Sequence, residues 1–277
     1  MKRILLAGLF LSAALVSEAQ LKTPAPSPAQ TLRQDFGLGN IEISYSRPGV
    51  RGRKIFGDIV PFGQVWRTGA NNATTINFSD EVIIGGKKVA PGKYGLLSIP
   101  GAKEWVIIIS KQTNVTSPAD YKADQDVVRV NCAVTKNKKS VETFTIALNE
   151  IKNTTCNLDL SWNKTQVSLP IQTEIEAKIM ANIDAAMKTE KPPYYNAAMY
   201  YMDNGKDLNQ ALAWFDKAVE ANPNAFWIHY QRANCLAKLG KKAEAIASAE
   251  KSKQLATDAK NGDYVKLNEK LIAELNK

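Results

Sequence analysis

The strongest constraint on this chain is a change in the spacing of its apolar residues near position 173. From about residue 41 to 171 the period is two. Ile41, Ile43 and Tyr45 alternate with Glu42, Ser44 and Ser46, and Phe144, Ile146 and Leu148 alternate with polar partners, as do Val167, Leu169 and Ile171. That period lines one face of a strand. Beyond 173 the spacing becomes four, through Ile175, Ile179, Ile183 and Met187, which stripes one side of a helix. Two periods in one chain imply two domains: an antiparallel β-sandwich or barrel over residues 39–172, then an all-α domain over 173–277.

Turn signals divide the first half. Gly85-Gly86, Pro91-Gly92, Pro100-Gly101 and Asn137-Lys138-Lys139 separate short apolar runs, and Trp105 to Ile109 is a continuous one. Many short strands with tight turns indicate a sandwich or barrel, and no helix-length segment interrupts them. Residues 20–38, with Pro24, Pro26 and Pro28, read as an extended lead-in. In the second half Pro192-Pro193 ends a first helix. Ala211, Phe215, Ala218 and Pro223 then fit the second helix and exit of a tetratricopeptide repeat. One repeat length further on, Ala233 and Ala245 recur as small residues where paired helices cross closely. The expectation is two repeats, about 192–225 and 226–259. The helix before them would close one end. A capping helix carrying Val265, Leu267, Leu271 and Leu275 would close the other.

The N-terminus reads as an export signal. Lys2 and Arg3 precede an apolar run over residues 4–16, and Ser17-Glu18-Ala19 provides a small-residue cleavage site. The run is too short for a spanning helix, which needs about 20 residues. No cysteine near residue 19 offers a lipid anchor, and no later stretch reads as a transmembrane span. The expected product is soluble, periplasmic or secreted. Removal of Lys2, Arg3 and Glu18 takes the net charge from +9 to +8. That surplus favours acidic glycans or membrane surfaces over nucleic acid, although the lysines are scattered and also suit a plain basic surface. Cys132 and Cys156 each fall on an apolar face, where a disulfide between them or two separate buried thiols would both fit.

Residues 47–71 concentrate arginine, glycine and large aromatics. One reading makes them a shallow pocket. Arg51, Arg53 and Arg67 would hold an anionic or hydroxylated ligand, Trp66 or Tyr94 would stack on it, and Arg47 at the sheet rim would pair with Asp58. Arg47, Asp58 and Asn71 complete the candidate ligand-binding set. The other reading has the arginines pin a long loop through its carbonyls while Phe56, Phe62 and Trp66 fill core. The run Arg47-Pro48, Gly52-Arg53, Ile55-Phe56-Gly57 and Val65-Trp66-Arg67-Thr68-Gly69-Ala70-Asn71, followed by Ala90-Pro91-Gly92-Lys93-Tyr94, resembles a secreted bacterial family known only as domain of unknown function 2911. The resemblance covers about residues 24–171. It implies a β-rich exported protein, in some members followed by helical repeats, with no activity or catalytic residue attached.

Several chemistries lack their residues. His229 is the single histidine and sits in a repeat helix, so neither a catalytic triad nor ordinary transition-metal spacing is present. No glycine-rich phosphate loop precedes a helix, and Asp120, Asp124 and Asp126 lack the glycine and terminal glutamate of a calcium loop. No cofactor, metal site or catalytic residue is therefore expected. Two functions remain. One is a non-catalytic ligand- or protein-binding scaffold of the cell envelope, with a peptide or helix in the repeat groove. The other is a hydrolase on glycans or anionic envelope substrates working through residues 47–71.

Overall fold

A computed structural model describes residues 23–277; the expected signal segment, residues 1–19, lies outside them. Two compact units meet between Ile175 and Glu176.

The first unit contains ten strands. They are β1 (Ala29–Phe36), β2 (Gly39–Ser46), β3 (Thr75–Phe78), β4 (Val82–Ile84), β5 (Lys87–Val89), β6 (Gly92–Ile99), β7 (Glu104–Ser110), β8 (Asp126–Ala133), β9 (Thr135–Asn149) and β10 (Thr155–Gln172). Six form one sheet in the order β1-β2-β3-β6-β7-β8, and four form a second in the order β5-β4-β10-β9. Every pairing between strands is antiparallel. Both sheets supply one core. Ile43, Ile76, Leu96, Trp105 and Ile107 come from the first, and Ile84, Phe144, Leu158, Leu160 and Leu169 from the second, all at most 1% exposed. The unit is a sandwich, as alternation requires when each sheet buries one face. β7 is apolar on both faces because its outer residue Ile108 packs with Leu97 and Val115 in a small second cluster.

The segment expected as a lead-in is in part sheet. β1 pairs along its whole length with β2, from Ala29 opposite Ser46 to Phe36 opposite Gly39. Asn137-Lys138-Lys139, expected as a turn, lies inside β9. Polar residues alone did not make a turn there because β9 is a sheet edge, where one side of the strand faces water. Gly85 and Gly86 do form the two-residue hairpin, both in the left-handed region that this turn demands (φ 57° and 77°).

The second unit has six helices: α1 (Glu176–Ala186), α2 (Tyr194–Asp203), α3 (Leu208–Ala221), α4 (Phe226–Lys238), α5 (Lys242–Asp258) and α6 (Gly262–Leu275). α1 starts three residues later than the apolar spacing suggested and buries only Ile183. α6 differs as well. Leu267 is 40% exposed, whereas Asn268 is fully buried and Leu275 packs on the repeat core. The polar residue takes the inward position because its amide donates to Ser252 Oγ at 2.8 Å and to the Tyr264 carbonyl at 2.7 Å.

Candidate functional site

The arginines of residues 47–71 bind backbone. Arg47 donates from Nε to the Phe144 carbonyl (3.1 Å) and from its terminal nitrogen to Thr145 Oγ1 (2.8 Å). Asp58, its expected partner, is exposed, and among the described residues the Arg47 side chain bonds Phe144 and Thr145 instead. Arg51 reaches back to the Pro26 carbonyl (2.7 Å), and Arg53 takes the carbonyls of Val50 (3.1 Å) and Gly49 (2.7 Å). Asn71 donates its amide to the Ser27 carbonyl at 3.2 Å, and the Arg47 N–H bonds the Pro28 carbonyl at 2.9 Å. Residues 26–28 are thus clasped by three residues expected to meet a ligand.

The aromatic members divide. Trp66 lies in the core, stacked on Trp162 (centroids 5.9 Å, planes 12° apart) and edge-on to Trp105 and Phe144. Its indole N–H donates to the Gly69 carbonyl at 3.0 Å. Its backbone exchanges two hydrogen bonds with Ser98, at 2.7 and 3.0 Å. Trp66 is thus half-buried and packs against the core through these rings. Phe56 joins the same cluster, 4.8 Å from Trp105. Phe62 does not; it is 45% exposed and lies over Gly57, where a Cβ would come within 2.7 Å of its ring. Tyr94 donates to the Ala90 carbonyl (2.8 Å) and packs on Phe78.

Behind Trp66 the backbone is strained. Thr68 is fully buried with φ +54°, a region costly for a β-branched residue. It is held there by Ser98 Oγ, 2.9 Å from its hydroxyl, and by Thr74, whose hydroxyl donates to the Thr68 carbonyl at 2.8 Å. Arg51 (+50°) and Asn71 (+57°) are left-handed too.

One cleft opens beside this knot. It has a volume of about 170 Å³ and is walled by Ile59, Val60, Pro61, Val65 and Trp66 on one side and Thr116 and Pro118 on the other, with Arg67 and Gln64 between. Arg67 spans the gap, its first terminal nitrogen donating to the carbonyls of Asn71 (3.2 Å) and Thr116. Arg51, Arg53 and Tyr94 do not line it, and neither does any carboxylate. The joint arginine pocket with an acidic partner, on which the hydrolase reading depended, is not assembled. Thr116 and Pro118 carried no signal in the sequence, because nothing local ties them to a loop some fifty residues upstream.

In the helical unit the expected repeat residues are core. Ala211, Phe215, Ala233 and Ala245 are fully buried and Ala218 nearly so, while Pro223 sits in the turn between α3 and α4. The Pro223 carbonyl accepts from His229 Nε2 at 2.9 Å, so the single histidine is a packing residue. A cleft of about 530 Å³ runs among α3, α4 and α5, lined by Asp216, Glu220, His229, Arg232, Ser248 and Lys251 among others. Arg232 and Asp216 pair across it at 2.6 Å. Its lining comes from α3 of the first repeat and from both helices of the second, with His229 and Arg232 supplied by α4.

Cys132 (β8) and Cys156 (β10) are separate free thiols, 4% and 3% exposed. Burial pushes each thiol from 9.0 up to about 11. Among the described residues no helix is long and apolar enough to cross a membrane.

Comparison with known proteins adds three matches. A family described as protein of unknown function (DUF2911) matches residues 27–171, and two tetratricopeptide-repeat families match 192–225 and 214–247. No curated protein matches the chain. Repeats of this kind are consistent with binding a protein partner. With more than half of its 277 residues inside the family's match, the chain belongs to the DUF2911 family and carries tetratricopeptide repeats behind that domain.

Proposed function

We propose that the protein is an exported, non-catalytic binding or scaffolding component of the cell envelope, whose repeats hold a peptide or helix of a partner. The observation that carries this reading is the open cleft among α3, α4 and α5. Its lining mixes acids, bases and a hydroxyl on rigid helices, which suits a polar peptide better than a small apolar ligand. Export is supported by the charged, then apolar, then small-residue order of residues 1–19. The β unit supports binding over chemistry, since Arg47, Arg51 and Arg53 are spent on its own backbone.

Native mass spectrometry of the protein purified from the envelope of its own cells tests the proposal. The expected result is a mature chain starting near Gln20 with a bound polypeptide that is lost in Glu220→Lys with Lys251→Glu. A purified β unit that turns over a glycan or ester, and loses turnover in Arg67→Ala, would overturn it.

A further inference from the structure

We infer that the cleft beside Arg67 is a binding site for a small carboxylic acid with a short apolar body. This goes beyond the repeat-borne binding and concerns the β unit alone.

The case begins with the guanidinium. Arginine carries five N–H donors in a planar fork. In Arg67 the first terminal nitrogen is used, its two hydrogens on the carbonyls of Asn71 and Thr116. Among the described residues, Nε–H and the second terminal nitrogen donate to nothing. Those two groups form the side-on edge of the fork, the edge that pairs with both oxygens of a carboxylate. The residue lines the cleft, and its charge is not neutralised, because both partners are neutral carbonyls and no Asp or Glu is in the lining. Asp120, two residues beyond Pro118, is engaged with Ser117 N (3.1 Å) and Thr116 Oγ1 (3.4 Å).

The walls select the rest of the ligand. Ile59, Val60, Pro61, Val65 and Pro118 are apolar. The volume, about 170 Å³, is well below the roughly 300–1,000 Å³ of pockets for drug-sized ligands. A body of four or five carbons fits that description better than a sugar, which would need several polar partners. The site is also stiff. Thr68, the next residue, is locked at φ +54° by buried partners, and Trp66, the residue before, is locked in the aromatic cluster. Residues held in such sparse backbone regions concentrate at binding sites, where they fix the geometry of a neighbour. Here the neighbour is the one arginine of residues 47–71 whose Nε–H and second terminal nitrogen are both without a partner among the described residues.

The test is titration of the full mature chain with 4-methylpentanoate and with its neutral amide, followed by NMR shifts of the Trp66 indole and of the backbone at 64–68. Two variants accompany it. Arg67→Gln removes the fork. Since it also releases Thr116, Ile59→Glu is the companion; Ile59 is 46% exposed, so a carboxylate there repels the ligand without disturbing the core. The inference expects saturable binding of the acid, at least tenfold weaker binding of the amide, and at least a tenfold loss in each variant. Equal binding of acid and amide overturns it, as does undiminished binding in Ile59→Glu. Absence of saturation by the acid at about 10 mM does so too, since a desolvated charge pair should reach at least millimolar affinity. None of these outcomes touches the repeat cleft, so the two proposals fail separately.

Discussion

Lys260 ends α5 at φ +55°, the conformation in which helices usually place glycine. The cap is complete: Asn261 N–H bonds the Ala256 carbonyl at 2.8 Å and Lys260 N–H bonds that of Thr257 at 2.9 Å. α4 ends on the same pair of bonds, but with Gly240 at φ +74°. Lys260→Gly should therefore stabilise the helical unit by about 0.5–1 kcal/mol, visible as a higher urea midpoint with an unchanged slope. A lower midpoint would show that the lysine side chain does something the cap does not require. The thiols yield a second expectation. Cys132 and Cys156 titrate at about 11 when folded and near 9.0 when unfolded, so above pH 9 the unfolded chain releases protons first. Their contribution to stability is complete below about 9 and is lost as pH rises through 11. Unfolding midpoints at pH 8 and 10.5 should differ in that direction, and Cys132→Ala with Cys156→Ala should flatten the slope. Residue roles were legible unevenly. Ala233 and Ala245 declared themselves by pattern, whereas Trp66 stood open between a stacking face and core. The partners of Arg47 and Arg51 did not declare themselves, because Phe144 and Pro26 offer them backbone carbonyls, which carry no side-chain chemistry to read.

β10 shows how an element can be read from parity. Cys156, Leu158, Leu160 and Trp162 occupy even positions, whereas Val167, Leu169 and Ile171 occupy odd ones, and all seven are buried. A regular strand cannot bury both sets on one face, so an irregularity must lie between them. It does: the register with β9 shifts on either side of Asn163, whose φ is +53°. Deleting Lys164 gives Val167, Leu169 and Ile171 the parity of the first set, so a regular strand would then bury all seven on one face. A cooperative unfolding transition that survives in the deletion variant is the expected result, and its loss would mean that the irregularity at Asn163 is needed for pairing with β9. Among the helices the ends are unequal. α1 buries one side chain, whereas α6 inserts Asn268 against Ser252 and packs Leu275 on the core. Truncation after Asn261 should abolish cooperative melting of the helical unit, while removal of residues 177–189 should shift it little; circular dichroism separates the two outcomes. The apolar spacing of four suggested otherwise for α1. Spacing reports which side of a helix could be buried, and it is silent on whether a neighbour arrives to bury it.

At the scale of the whole molecule the legible quantity was the number of cores. The change of period near residue 173 marks it, and the structure divides two residues later. Each unit owns a continuous apolar cluster, one built from both sheets and one from α2 to α6. A unit with its own core has its own stability, and a substitution acts first on the core it enters. Phe144→Ala empties a ring site that contacts Tyr45, Trp66 and Trp162, at a cost of about 3–5 kcal/mol. Ala233→Leu forces a larger side chain between helices that meet at a fully buried alanine, at a cost of about 1–3 kcal/mol. Hydrogen-exchange mass spectrometry across a urea series resolves both units in one experiment. The first variant should lower the midpoint of residues 29–172 alone, and the second that of 194–275 alone. If either variant shifts both midpoints equally, the units share one cooperative transition. A ligand on the β unit would then be felt by the repeats. If the midpoints move separately, binding to each unit can be measured on its own.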